Sequence, residues 1–513
     1  MKRHKKHPVH NAAAKRMVSP IVGQNGETTT AFAHPPANRH SEFSFSRRDR
    51  NWLLVLLLIT AMGIRICGSC NDLWLDEIWS LNLVGNISSP LQVFTKIHHS
   101  NNHYLNSLWL YLCGSHGNWP GYRIPSILAG VGSVIMAGMI GRRRGACVAC
   151  FAMLLMAFSY AQILYSSEAR GYAEVVFFSL LSFYALEKYL EKQEWRSAVL
   201  FSISSIFGFA SQLIFLIFFC AAILWSGWRL VKSGTGLTHA IKAMLACHAA
   251  PAMFVMTLYF VDIRHQAFGG GTKNGPGVYV DSFAWALGTL PDRASVVSIA
   301  LLAIAVFMAG IWILRRENSG SAIFFAGVIL VVPVLLAIVR HSDMLYVRYF
   351  IIGMAFFLML FSFVLAALYQ TGLRGRIICV LLMAGYLAVN GWDTINLFKN
   401  GRGHSREAIR FIAETSKDSV VTIGSDHDFR IPLVLQFYAG EAAKNKTLEY
   451  YRVNSWPQGG PEWLICHKES FEDPIPPRTQ LTDAAGNSYE FMKTFPTSPL
   501  SGLHWFIYHN RAK

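Results

Sequence analysis

The sequence predicts an all-α polytopic membrane protein with a small α/β domain at its C-terminal end. Three observations predict this. Apolar and aromatic residues make up 53% of the 513 residues and charged residues only 15%, well below the roughly 25% charged residues of a soluble domain. The apolar residues gather in runs long enough to cross about 30 Å of hydrocarbon. Basic residues cluster in short segments between those runs, and from residue 393 onward the composition turns mixed, with no long run.

The formal charge is +16. Its placement between apolar runs suits the cytoplasmic bias of basic loops and anionic lipid headgroups. Membrane lipids are therefore expected as partners and nucleic acid is not. The nine cysteines are odd in number and fall mostly inside apolar runs, which argues against a disulfide framework. Cys67 and Cys70 form a C-x-x-C beyond the first run. It reads as a disulfide or, better, as a pair of packed small residues.

Taken in order, residues 1–50 are polar and basic without apolar periodicity and read as a disordered cytoplasmic tail. They are too long and too polar for an ordinary signal peptide. The first run covers 52–68, and Arg47, Arg48 and Arg50 before it hold the N-terminus in the cytoplasm. Runs at 124–141 and 146–164 flank Arg142, Arg143 and Arg144, so that turn is expected inside. Residues 69–123 must then lie outside and hold no complete crossing. The apolar piece 104–113 is too short to span and reads as a helix at the outer interface; a short true crossing there would instead put the three arginines outside. Further runs cover 172–190, 197–210, 213–228, 240–260, 295–314, 322–339, 349–369 and 376–392. As one helix, 197–228 would measure roughly 48 Å, so an external hairpin is expected at 208–212. This gives about eleven crossings in a module over 51–392, with the C-terminus outside. Residues 393–513 read as an extracytoplasmic α/β domain, with a helix over 405–415 and short strands near 419–424, 463–467 and 504–508.

Acidic residues are scarce, and four external segments concentrate the chemistry. "LWLDEIWS" holds Asp76 and Glu77 between Trp74 and Trp79. A carboxylate there could act as a general base or bind a divalent cation; it could equally be a solvated loop acid beside tryptophan anchors. "HHSNNHYLNS" holds Asn101, Asn102 and His103, which suit a phosphate or metal contact or simple helix capping, though the spacing fits no tight zinc set. "YSSEARGYAE" brings Tyr165, Glu168, Arg170 and Tyr172, with Glu174 one turn deeper and better explained as structural. Arg170 could neutralise Glu168 or hold a phosphate. "RHSDMLYVRYF" places Arg340, His341, Asp343, Arg348 and Tyr349 just before a run. External basic residues run against the topological bias, and a lipid phosphate would explain them, as would pairing with Asp343. The loop 262–280 carries Gly269–Gly271 and reads as a lid; it has no P-loop pattern.

In this order the four segments resemble the membrane-embedded GT-C glycosyltransferases. The likeness is strongest to the branch of protein O-mannosyltransferases and the lipid A aminoarabinose transferase. Asp76-Glu77 matches the family's acidic pair in the first external loop, and Asn101-Asn102-His103 one form of its second motif. "YSSEARGY" matches its third motif, and Arg348-Tyr349 its late pair. "RIPSILAG" at 123–130 resembles the opening of its next span. The likeness covers about residues 52–392 and leaves the tail domain aside. It implies a GT-C fold and transfer of a sugar from a polyprenyl-phosphate donor to a lipid, glycan or protein acceptor. Asp76 is then the catalytic base, Glu77 its helper, and Glu168 a second acid. Arg170, Arg348, Tyr349 and His103 would meet the donor phosphate. Asn102, Tyr165 and Tyr172 would support the acceptor. A divalent cation, where used, would fall to Asp76, Glu168 and His103. The His-Pro-Pro form of the second motif is missing, which weakens the case for a protein acceptor.

Two other readings compete. A lipid-linked-sugar flippase would place polar residues at the bilayer midplane and show paired halves, whereas here the acids sit in loops and no repeat is visible. An O-antigen ligase would carry a large late external loop and no early acidic pair.

Overall fold

The computed structural model describes residues 47–114, 119–267, 277–288, 293–317, 320–335 and 345–513. The expected tail lies outside these residues except for 47–50, which form the first turn of a helix rather than disordered chain. Helix α1 covers Arg47–Ser69. Four short helices follow before the next long one: α2 (Leu75–Gly85), α3 (Gln92–Thr95), α4 (Tyr104–Cys113) and α5 (Trp119–Tyr122). None could span a bilayer, as the charge pattern requires.

The long helices then run in sequence. They are α6 (Ile124–Arg142), α7 (Ala146–Phe158), α8 (Tyr160–Tyr165), α9 (Tyr172–Lys192), α10 (Trp195–Ser211), α11 (Phe215–Lys232) and α12 (Leu237–Val261). After α13 (Gly277–Leu287) come α14 (Arg293–Arg316), α15 (Ser321–Ala326), α16 (Ile351–Gln370) and α17 (Leu373–Asn400). The runs expected to cross are helical over their described residues, with one break at Ser159. Among the described residues, seven helices are long and apolar enough to cross a membrane, and the chain is a membrane protein.

The run 146–164 is not one helix. It breaks at Ser159, where the backbone is extended, and the carbonyls freed by the break need donors. Arg65 supplies two, to Ala157 at 3.3 Å and Met156 at 3.3 Å; Leu155 O keeps the Ser159 N–H and takes the Tyr386 hydroxyl as well, at 2.6 Å. A fully buried arginine inside an apolar helix is thus spent on closing a neighbour's end. The hairpin expected at 208–212 falls later: 208–211 still belong to α10, and the connection to α11 is 212–214.

Ion pairs mark the two ends of the bundle. At the C-terminal end of α6, Arg143 meets Glu187 at 2.7 Å and Arg144 meets the same carboxylate at 3.2 Å. The other end, a helix length of about 28 Å away, holds Arg123, the acidic pair and the 165–171 turn.

The C-terminal region continues α17 to Asn400, then forms α18 (Ser405–Thr415), α19 (Arg430–Ala442) and a six-stranded sheet of order β2-β1-β3-β6-β5-β4. The strands are β1 (Val420–Ser425), β2 (Thr447–Tyr450), β3 (Trp463–Glu469), β4 (Gln480–Thr482), β5 (Ser488–Phe495) and β6 (Leu503–Asn510). β1 pairs parallel to both β2 and β3, and the other pairs are antiparallel. One face of this sheet shares a core with the short helices between α1 and α6 and the loops joining them: Ile423, Ile431 and Trp505 join Leu73, Ile78 and Tyr104. Tyr438 of α19 also donates to the Leu73 carbonyl at 2.8 Å. All nine cysteines are free.

Candidate functional site

The site begins with a sealed frame. Asp76 and Glu77 occupy the first turn of α2, where carboxylates suit the positive end of the helix. Glu77 is fully buried. Arg123 grips it with two bonds, Nε to Oε1 at 2.8 Å and Nη2 to Oε2 at 2.6 Å, and the Ala169 N–H donates to Oε1 at 2.7 Å. Burial raises the Glu77 carboxyl, but the Arg123 guanidinium, Arg402 and the Ala169 N–H together outweigh it and hold the group below its ordinary value. Arg123 spends its remaining donors on the carbonyls of Ser69, Asn71 and Asp72. A single ion pair therefore ties the segment after α1 to the opening of α6 and to the 165–171 turn.

Glu168 is also fully buried, but it faces the C-terminal domain. Its Oε1 accepts from Arg402 Nε at 3.2 Å and from Ser501 at 2.8 Å, while Oε2 has no partner. Arg402 completes its set on Leu164 O, Ser167, Gly68 O and Asn71. Arg170, which the sequence offered as a partner for Glu168, pairs with Asp76 instead.

Asp76 differs from both acids. Its Oδ2 lies 2.7 Å from Arg170 Nη1 and 3.5 Å from Arg348 Nη1, and its side chain keeps 14% exposure. Arg170 Nη2 donates to Asn101 at 2.7 Å. Yet Arg170 Nε and Arg348 Nε are buried without an acceptor, and so is the indole N–H of Trp74. The Trp74 ring lies 5.7 Å from the Arg170 guanidinium and 6.0 Å from that of Arg348. Three buried N–H groups without acceptors thus surround one carboxylate, in a structure whose buried donors are otherwise mostly paired. Tyr172 lies under Arg170 at 4.9 Å, and Tyr346 and Tyr349 flank Arg348 at 4.3 and 5.8 Å. The arrangement can hold an anion with several oxygens beside a carboxylate.

The other sequence-selected residues support this centre from behind. His103 is buried, with Nδ1 accepting the Gly171 N–H at 2.8 Å and Nε2 beside Gln212 at 2.9 Å. Burial and the two arginines hold its pKa well below the ordinary value, so the ring is neutral. Gly171 is required there: a Cβ would sit 2.0 Å from the Ser211 carbonyl and 3.2 Å from His103. Asn102 spends its amide on the carbonyls of Val93 and Ile97 and accepts from Ser107, which is internal capping and not an acceptor contact. Tyr165 is buried 5.5 Å from Tyr172. Glu174 takes the Ser126 hydroxyl, a structural bond. Arg340, His341, Asp343 and the glycines 269–271 lie outside the described residues.

A cation shared by Asp76, Glu168 and His103 does not fit this donor set. Glu168 and His103 face other partners, Asp76 faces two guanidinium groups, and no cluster of three or more such ligands forms among the described residues.

Sequence reasoning missed Arg402, Ser501 and the role of Trp74. Arg402 had a usable signal: an arginine between Gly401 and Gly403 in a region expected outside, against the topological bias. Ser501 had none, because 333 residues separate it from Glu168.

No protein-family model and no curated protein matches the sequence. Among solved structures, ArnT from Cupriavidus metallidurans in the apo state superimposes with a TM-score of 0.50 at 13% identity, covering 90% of this chain and 98% of that one. The same protein bound to undecaprenyl phosphate gives 0.48 at 12%, covering 89% and 98%. The archaeal oligosaccharyltransferase AglB from Archaeoglobus fulgidus, in complex with an inhibitory peptide and a dolichol-phosphate, gives 0.46 at 10%, covering 82% and 70%. At such identities the likeness is one of fold. Along nearly its whole length, this chain has the fold of apo ArnT, an aminoarabinose transferase of the GT-C class.

Proposed function

We propose that this protein is a glycosyltransferase of the inner membrane that moves a sugar from a polyprenyl-phosphate donor to a lipid, glycan or protein acceptor on the extracytoplasmic side. The N-terminus is cytoplasmic and the C-terminal domain is outside. The observation that carries the reading is the Asp76 centre: a carboxylate beside two arginines and an indole that still have N–H groups without acceptors. Polyprenyl chains stay in the bilayer, so the donor phosphate reaches the protein only at the interface, and a multi-oxygen anion is what those donors lack.

The reaction follows from the charges. The donor phosphate takes the Arg170 and Arg348 guanidinium groups, and Asp76 is released from both. Asp76 accepts the proton of the acceptor group as its oxygen or nitrogen bonds to the anomeric carbon. The bond from that carbon to the phosphate oxygen breaks, and the departing phosphate keeps the electron pair, stabilised by the two arginines. Glu77 and Glu168 are positioning residues: one fixes the turn that carries Asp76, and the other latches the turn that carries Arg170. Tyr349 and Tyr172 line the phosphate side. His103, being neutral, orients the Gly171 turn and brings no charge to the phosphate.

Full-length protein in nanodiscs tests this. Undecaprenyl phosphate should raise the melting temperature of the wild type and of Asp76→Asn. Sugar transfer from a polyprenyl-phosphate-sugar extract should fall by about 10²–10⁴-fold in Asp76→Asn, the usual contribution of a positioned base. Undiminished transfer would remove Asp76 from that role, and no stabilisation of the wild type would remove the donor.

A further inference from the structure

The C-terminal domain carries a second polar centre. β1 and β3 are parallel neighbours whose outgoing connections diverge. The chain leaves β1 through α19 toward β2 on one side, and leaves β3 toward β4 at the opposite edge. In open α/β sheets, such a divergence marks the crevice at the carboxyl ends of the strands where ligands bind.

Polar groups converge there. His467 Nδ1 lies 2.8 Å from Asp426 Oδ1, and the His467 N–H donates to Asp426 Oδ2 at 2.9 Å. With the ring proton on Nδ1, Nε2 accepts from Arg430 Nη1 at 3.1 Å. Arg430 also meets Glu469 at 2.6 Å. Beside this chain stands Phe429, 47% exposed, edge-on to Trp79 with the ring centroids 4.9 Å apart. Trp79 is one helical turn beyond Asp76, on the same face of α2. On the other flank of Asp76, Tyr346 covers Arg348 at 4.3 Å. The second centre therefore adjoins the first through the Trp79–Phe429 ring pair.

We propose that this crevice is the acceptor subsite and that its ligand is a saccharide. Sugar rings have apolar C–H faces and hydroxyl rims. Exposed aromatic rings match the faces, and planar carboxylate, imidazole and guanidinium groups match the rims. A peptide strand would need an open sheet edge, but the edge strands are β2 and β4, whereas β1 and β3 are internal. The Trp79–Phe429 wall would then present a saccharide hydroxyl to Asp76. This inference rests on the transferase reading above, whose donor half is tested separately.

The test uses full-length protein in detergent on an array of bacterial envelope oligosaccharides and on a random peptide array. Phe429→Ala and His467→Gln are compared with the wild type, and undecaprenyl phosphate stabilisation is followed in parallel. The expected result is saccharide capture by the wild type, at least tenfold weaker in both variants, with the stabilisation by undecaprenyl phosphate unchanged. The parallel stabilisation by undecaprenyl phosphate reports whether either variant has lost its fold. Capture of peptides instead, no saccharide capture, or capture equal in all three proteins would overturn the proposal. Loss of undecaprenyl phosphate stabilisation in the wild type would strike the donor reading and leave the saccharide result to stand or fall alone.

Discussion

Asp76 and Glu77 are adjacent in the chain, and each faces arginine, yet their surroundings are opposites. Glu77 is sealed, and Arg123 has a partner for each of its three guanidinium nitrogens. Asp76 keeps some exposure, and both of its arginines retain a buried N–H with no acceptor. The contrast teaches that an acid–arginine pair alone does not mark chemistry. What sets Asp76 apart is three unpaired buried N–H groups gathered at one partly exposed carboxylate, where a ligand can offset the cost of leaving them unpaired.

The largest expected effect lies on the sealed side. Glu77→Ala leaves the Arg123 guanidinium buried beside an unsatisfied Ala169 N–H. Losing one partner of a buried pair costs about 3–5 kcal/mol, so the variant should unfold at markedly lower denaturant or fail to accumulate. A variant that keeps wild-type stability but loses transfer would put Glu77 in the reaction and break the comparison. The open side should behave the other way. Arg348→Ala removes charge-assisted bonds worth about 1.5–3 kcal/mol from the bound donor. Affinity for undecaprenyl phosphate should fall about 10- to 100-fold in a thermal-shift titration, with a smaller loss of stability than in Glu77→Ala.

The same contrast explains what could be read from the sequence. Helical runs and the basic turns between them were legible because lipid leaves few alternatives to a helix with paired backbone. The motif residues were legible as a set: Asp76, Arg170 and Arg348 do converge. Which acid meets which arginine was not. Arg170 is two residues from Glu168 but bonds Asp76, 94 residues away, because the 165–171 turn points its successive side chains in different directions. The break at Ser159 was hidden because its repair comes from Arg65, far along the chain. In the tail domain, β1, β3, β6 and α18 had periodic or apolar signatures, whereas β2 and β4 are short edge strands of exposed or half-buried residues.

A smaller effect tests the latch between the domains. Ser501→Ala leaves Glu168 Oε1 with Arg402 alone, while Oε2 already lacks a partner. One lost bond to a charged group should cost about 1.5–3 kcal/mol, read as a lower denaturant midpoint. Donor affinity should stay within twofold, since Arg170 and Arg348 keep their places. A tenfold loss of affinity would instead make the latch part of the phosphate site.

The smallest effect is a slope. The folded state holds His103 neutral, with a pKa well below the ordinary value, because of burial and the arginines of the open centre. The unfolded chain protonates it near pH 6.5. Above that pH both states are neutral and the full stability is present. As pH falls from there toward the folded pKa, the unfolded state gains a proton that the folded state refuses, and stability declines. Glu77 acts later: its folded pKa is depressed, so its contribution fades only as pH falls below about 4.5, where the unfolded carboxyl begins to protonate. Between pH 7 and 5, His103→Gln should therefore show a shallower loss of melting temperature than the wild type, whatever its absolute stability. Arg348→Ala should lie between the two, because one of the charges that keeps the imidazole neutral is gone. If all three slopes coincide, His103 is not held neutral by the arginines, and the open centre lacks the unbalanced positive charge that a phosphate would meet.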